Sequence, residues 1–218
     1  MSSWRQLSQS LLSLFLQPNC PLCGRRAEQV ICRHCDRQLN QCQLSHPRFS
    51  GKGNLSVLAW GKYEGLLKRA IASLKYEQQS QLAHPLGQRL GETWLKISAG
   101  STSLKPVIVP IPLHPQKQNQ RGYNQAELLA RAFCEVTRLP LQSQGLRRIK
   151  PTDALFGLTP QQRENQVTNA FALGKGMNAG QVLLVDDIYT TGATVKAAQM
   201  TFQTAGINVI GVGAIAKA

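Results

Sequence analysis

Apolar positions along the chain alternate between short continuous runs and longer stretches with helical spacing. Trp4, Leu7, Leu11, Leu14 and Phe15 share one helical stripe and predict an N-terminal helix within 1–17, docked on the main domain or on a partner. Residues 18–46 show no sustained period, and Pro47 to Asn54, with Gly51 and Gly53, reads as a linker. Leu55–Trp60 then reads as an edge strand. Leu67, Ala70, Ile71 and Leu74 repeat at i, i+3, i+4, i+7 and predict a helix, with Lys68, Arg69 and Lys75 on or near that face. Leu82, Leu86, Leu90 and Trp94 mark another helix, in which Trp94, like Trp60, reads as core. Pro106–Pro112 makes a strand that its prolines end abruptly. The following segment to Arg121 reads as a polar, basic loop, and Gly122 opens a helix with Ala126, Leu129, Ala130 and Phe133 on its stripe. Residues 141–173 make no clean strand–helix unit: a turn and short helix around 156–165 precede a small strand, Ala170–Leu173. Val182–Val185 reads as a buried parallel strand. Val195, Ala198 and Phe202 carry a helix to Gly206, and Asn208–Ala214 supplies a further strand. Such alternation predicts an α/β fold: a parallel sheet with helices on both faces and right-handed crossovers.

The length, 218 residues, accommodates one full domain and a small appendage. No run approaches the roughly 18 apolar residues of a membrane span. The N-terminal stretch lacks the apolar centre and cleavage site of a secretory signal, so a cytoplasmic protein with no membrane span is expected. Charge sharpens the picture more. With 25 basic and 11 acidic residues the net charge is +14, which fits nucleic acid or a substrate carrying several phosphates. Charge alone does not separate these two. No basic amphipathic helix supports acidic lipid as a third target.

Cys20-Pro-Leu-Cys23 and Cys32-Arg-His-Cys35 form two Cys-x-x-Cys knuckles, and together they can close a tetrahedral Cys₄ zinc site. A segment so short of apolar residues needs the metal for its folding energy. Four thiolates leave no open position, so the site is structural and not catalytic. A redox disulfide pair and an iron–sulfur centre use the same ligands. His34 is a spare ligand, and Cys42 falls outside the spacing as a free or buried thiol. Arg25, Arg26, Arg33 and Arg37 decorate the module, as a phosphate-contacting face or as a solvated surface.

The densest chemistry lies in residues 182–194. Val182–Val185 runs into Asp186 and Asp187, at the carboxyl end of a strand, where open α/β sheets bind ligands. Thr190, Thr191, Gly192, Ala193 and Thr194 then offer backbone N–H groups, hydroxyls and a helix N-terminus to an anion. Two acids beside an anion nest make sense if they face sugar hydroxyls or a hydrated Mg²⁺ while the nest holds a phosphate.

This stretch resembles the phosphoribosyl-pyrophosphate signature of the type I phosphoribosyltransferases. The resemblance implies a Rossmann-like parallel sheet with a small hood, here over 141–173. It places Asp186 and Asp187 on the ribose hydroxyls, directly or through Mg²⁺, and wraps residues 190–194 around the 5′-phosphate. The loop carrying Lys117 and Arg121 would face the pyrophosphate, Arg121 with a planar fork suited to phosphate. In an enzyme, Asp186, Asp187 and Arg121 would carry the displacement of pyrophosphate from ribose C1′. Relatives that salvage 6-oxopurines have Asp where this chain has Thr190, so that activity is not expected.

A Cys₄ module ahead of such a domain resembles the ComF (competence protein F) family. Tyr63-Glu-Gly65, Leu74-Lys75-Tyr76, Val109 to Pro115 and Arg121-Gly-Tyr-Asn-Gln125 agree with it, as do Thr152, Leu158, Arg163, Val167 and Ala170-Phe171 in the hood. Leu155 and Gln166 depart from the pattern, which usually has Gln and Asn there. The resemblance covers the chain from Cys20 onward and, added to the N-terminal stripe, divides it into a helix over 1–17, a zinc module over 18–46 and a phosphoribosyltransferase-like domain over 55–218. It also implies a link to natural transformation, single-stranded DNA and DNA-processing proteins. Three roles stay open: a phosphoribosyltransferase, a sensor of phosphoribosyl pyrophosphate, and a zinc-anchored single-stranded-DNA accessory factor.

Overall fold

The structure, a computed structural model, describes residues 18–51, 55–99, 105–150 and 170–218. The expected helix within 1–17 and the hood positions between Thr152 and Val167 lie outside the described residues. In chain order the elements are α1 (Arg33–Asn40), β1 (Arg48–Ser50), β2 (Ser56–Lys62), α2 (Gly65–Tyr76), α3 (Ala83–Ser98), β3 (Val107–Pro110) and α4 (Pro115–Arg121). They continue with α5 (Gln125–Thr137), β4 (Leu146–Arg148), β5 (Phe171–Leu173), β6 (Gln181–Tyr189), α6 (Ala193–Thr204) and β7 (Asn208–Lys217).

Five strands form one sheet in the order β1-β2-β7-β6-β3. β2, β7, β6 and β3 are parallel, whereas β1 runs antiparallel to β2, so the sheet is mixed and not wholly parallel. The expected linker therefore contains a strand, and β2 is an inner strand and not the edge. Arg48–Ser50 joins through backbone hydrogen bonds, which need no apolar pattern. The far edge, β3, is covered by the chain after α5: Ile108 N–H donates to Pro140, and Gln142 N–H donates to Ile108.

Strand alternation divides the core. Leu183 and Val185 of β6, with Leu58, Trp60, Ile108 and Ile215, face α2, α3 and α5. Val182 and Leu184, with Val57, Val109, Val212 and Ala214, face α6 and the β4–β5 pair. Helices thus cover both faces. α3 and α5 pack closely through Gly87, where an added Cβ would lie 2.4 Å from the Leu129 carbonyl oxygen.

Two expectations around β3 are corrected. The polar segment after it is a helix, α4, with Pro115 at its N-terminus and no buried residue, hence no stripe for the sequence to reveal. Gly122 closes this helix, at φ +82°, instead of opening the next, and the Asn124 side chain caps α5 by accepting from Ala126 N–H.

The N-terminal module also has a core that its sparse apolar residues do not announce. Leu22, Ala27, Ile31, Leu39 and Cys42 are buried in the same cluster as α2 and α3. Its backbone joins β2, with Leu44 N–H donating to Trp60 and Lys62 N–H to Cys42. Arg89 of α3 pairs with Asp36 and lies 5.6 Å from the centre of the Trp60 ring.

Candidate functional site

The cysteine cluster is assembled from two different local structures. Around the first knuckle, Cys20 N–H donates to Arg25, and Cys23 and Gly24 N–H both donate to the Cys20 carbonyl. The second knuckle is the start of α1, with Cys32 as its N-cap. The sulfurs of Cys20, Cys23, Cys32 and Cys35 all lie within 4.8 Å of one another, and Cys23 and Cys32 are 3.5 Å apart. Bonds of about 2.3 Å to a tetrahedral zinc place sulfurs about 3.8 Å apart, so the donor set fits that ion. The backbone N–H of Cys35 pulls the Cys32 thiol down to about 7, against burial, as a ligating thiolate at a helix start requires. His34 is exposed beside Gln38, away from the sulfurs. Cys42 is a buried thiol donating weakly to the carbonyls of Gln38 and Glu64.

β6 continues through both acids to Tyr189, so Asp186 and Asp187 belong to the strand and not to its trailing loop. Neighbours on a strand point to opposite faces. Asp187, 4% exposed, points to the side of Val185 and receives Lys75 from the last turn of α2, with 2.7 Å between Lys75 Nζ and Asp187 Oδ2. Asp186 is half-buried on the opposite side, and its Oδ1 accepts from the Asp187 N–H at 2.8 Å. Burial and the adjacent Asp187 push the Asp186 carboxyl up to about 7, with Lys75 and Arg148 only partly offsetting them. Burial also opposes the charge on Lys75, but Asp187 outweighs it and the lysine stays firmly protonated. A cation or hydroxyl donors brought to Asp186 would relieve the cost of its charge.

Directly beyond lies the turn of residues 190–194. Gly192, at φ +75°, is the N-cap of α6, and Thr190 and Thr191 are exposed ahead of it. Gly192 has no side chain to cap the helix, so the first-turn N–H groups, including Thr194, have no N-cap side-chain acceptor. Ala193 N–H reaches Thr191 Oγ1 at 3.5 Å. Tyr189 is buried beneath this turn, edge-on to Phe49.

The basic residues divide into two groups. Lys117 and Arg121 stand on α4, at the carboxyl end of β3 next to β6. Arg121 binds Gln125 and lies 5.7 Å from the Tyr76 ring, the residue after Lys75. Arg25, Arg26, Arg33 and Arg37 are exposed and line a shallow groove on the zinc module, with Glu28 and His34 among them. A larger groove, about 940 Å³, runs between that module and α3, and none of the acid-pair or turn residues line it.

Sequence reasoning assigns Lys75 and Arg148 no role at this site. Two signals in the sequence could have found Lys75: it directly follows Leu74, the last residue of a buried stripe, and it stands inside the family-like stretch Leu74-Lys75-Tyr76. Arg148 shares a strand face with buried Leu146, and burial lowers its pKa while Asp186 pulls it back. Its guanidinium lies 5.5 Å from the Phe171 ring.

No family model matches the chain. Competence protein F of Haemophilus influenzae is 28% identical over 208 residues, covering 92% of this chain and 85% of that protein. Competence protein ComFC of Bacillus subtilis is 28% identical over 82% of this chain and 69% of its own length. DNA utilization protein YhgH of Escherichia coli K12 is 26% identical over 81% and 80%. Among solved structures, adenine phosphoribosyltransferase from Leishmania donovani aligns at a TM-score of 0.40 and 11% identity, over 67% of this chain and 56% of that one. Relatives that span most of the chain, together with the four clustered cysteines, make it similar to the ComF competence proteins.

Proposed function

We propose that the chain binds phosphoribosyl pyrophosphate at the carboxyl end of β6, as a cytoplasmic protein serving DNA uptake and natural transformation. One observation carries this reading: a strand that carries two acids near its carboxyl end runs on through Tyr189 and a positive-φ glycine directly into a helix N-terminus. The turn 190–194 takes the 5′-phosphate, through N–H groups and the Thr190, Thr191 and Thr194 hydroxyls. Asp186 accepts from the ribose hydroxyls. Lys117 and Arg121 face the pyrophosphate, and the β4–β5 pair forms the base of the hood.

The residues also fit Mg²⁺ carried by the ligand. Asp186 has an oxygen not engaged by the Asp187 N–H, and Mg²⁺ commonly takes one or two carboxylates plus substrate oxygens. When bound, it neutralises charge on the departing pyrophosphate. The chain's own residues hold the sugar, fix the phosphate and supply Arg121 as countercharge while the C1′ bond opens. With an acceptor this is phosphoribosyl transfer; without one it is sensing.

Calorimetry with phosphoribosyl pyrophosphate and Mg²⁺ tests the reading. Asp186→Asn combined with Asp187→Asn should weaken binding by about 1.5–3 kcal/mol, with thermal unfolding measured beside it because Lys75 loses its buried partner. Equal affinity in the two proteins would make the acids structural.

A second reading follows from the arginine-lined groove of the zinc module, which fits the backbone of single-stranded DNA or an acidic face of a DNA-processing protein.

A further inference from the structure

The two acids of β6 do not have equivalent surroundings. Asp187 is sealed beneath α2, its side chain 5% exposed, with Lys75 Nζ 2.7 Å from its carboxylate. The lysine is itself held in place. α2 starts beside the ends of β2 and β7, where Tyr63 N–H donates to Lys217, and it delivers Lys75 from its last turn. That turn is pinned by Tyr123, whose hydroxyl donates to the Leu74 carbonyl at 2.5 Å, and by Arg121 against Tyr76. Asp186 faces the other way, half-buried, toward the side that carries Arg148.

A buried carboxylate stripped of its partner is a strong destabilising charge. Next to a site built for phosphates, an unpaired Asp187 would repel the ligand as well. We propose that Lys75 is a positioning residue of the phosphoribosyl site that acts through Asp187: it closes that carboxylate into an internal ion pair and leaves Asp186 as the single acid presented to the ligand. This rests on the reading of β6 and the α6 N-terminus as a phosphoribosyl-pyrophosphate site. It departs from the motif-based expectation that both acids meet the ribose.

The test is a charge-deletion cycle on the full chain, read by calorimetry with phosphoribosyl pyrophosphate and Mg²⁺ and accompanied by thermal unfolding. Lys75→Met should weaken binding about tenfold or more, as should Asp186→Asn. Adding Asp187→Asn to Lys75→Met should return affinity to within about threefold of wild type, since no buried charge is then left unpaired. Lys75→Arg, which keeps the charge, should also stay within about threefold. If Lys75→Met does not fold, the double variant and the two single Asn variants decide: Asp187→Asn must cost clearly less than Asp186→Asn. Equal losses for the two acids would make Asp187 a direct ligand contact and overturn the proposal. A Lys75→Met loss that Asp187→Asn does not relieve would make Lys75 itself the contact and overturn it too. Wild-type protein that binds no phosphoribosyl pyrophosphate would overturn the underlying reading, whereas binding without rescue overturns this inference alone.

Discussion

Gly192 is the tightest point of the proposed phosphate turn. It sits at φ +75°, and a Cβ there would lie 2.6 Å from the Tyr189 hydroxyl. Gly192→Ala should therefore lower stability by about 1–3 kcal/mol through backbone strain, and the contact with the tyrosine adds to it. Thermal unfolding should show that loss, and Tyr189→Phe in the same background should restore part of it by removing the oxygen. No recovery would locate the whole cost in the backbone. The motif makes this glycine and the two acids legible, because backbone-permissive and charged residues at fixed spacing leave a mark in a sequence. What it hides is orientation. Asp186 and Asp187 are adjacent in the chain, yet strand alternation sends them to opposite faces, and the partner of Asp187 comes from a helix far earlier in the sequence. Pairings across such a separation leave no local pattern.

Among elements, legibility follows burial. α2, α3, α5 and α6 each bury a stripe and stand where the spacing predicts. α4 buries nothing, and its sequence reads as a loop; β1 is three residues with no fully buried side chain, and its sequence reads as a linker. The marks α4 leaves are a proline at its start and a glycine after it. The helical form of α4 bears on its function. It holds Arg121 in its last turn, engaged with Gln125 and lying near the Tyr76 ring. Arg121→Ala should cost about 1.5–3 kcal/mol of pyrophosphate binding and much less of ribose 5-phosphate binding. Titration of the two ligands checks this, and equal losses would place Arg121 away from the leaving group.

For the molecule as a whole, the cysteine module and the sheet share one core. Close to one zinc per chain is expected by elemental analysis, and Cys20→Ser with Cys32→Ser should abolish it; retained metal would refute the Cys₄ assignment. Because Leu22 and Leu39 pack into the cluster of α2 and α3, chelation should lower the unfolding temperature of the whole chain in a single transition. The net charge of +14 predicts steeply salt-dependent binding of single-stranded DNA, each neutralised phosphate adding about 0.7 to the log–log slope. Fluorescence anisotropy should show a shallower slope once Arg25, Arg26, Arg33 and Arg37 are all Ser. An unchanged slope would move the binding face to the main domain. The position of β7 has a kinetic consequence. It is central in space, between β2 and β6, yet later in sequence than both. As the polypeptide leaves the ribosome, β2 and β6 must wait with open edges until β7 emerges to join them, and the acid-bearing strand is among those left waiting. Sheet closure therefore waits for β7, and the interval before it is when this chain is most exposed to mispairing with its neighbours.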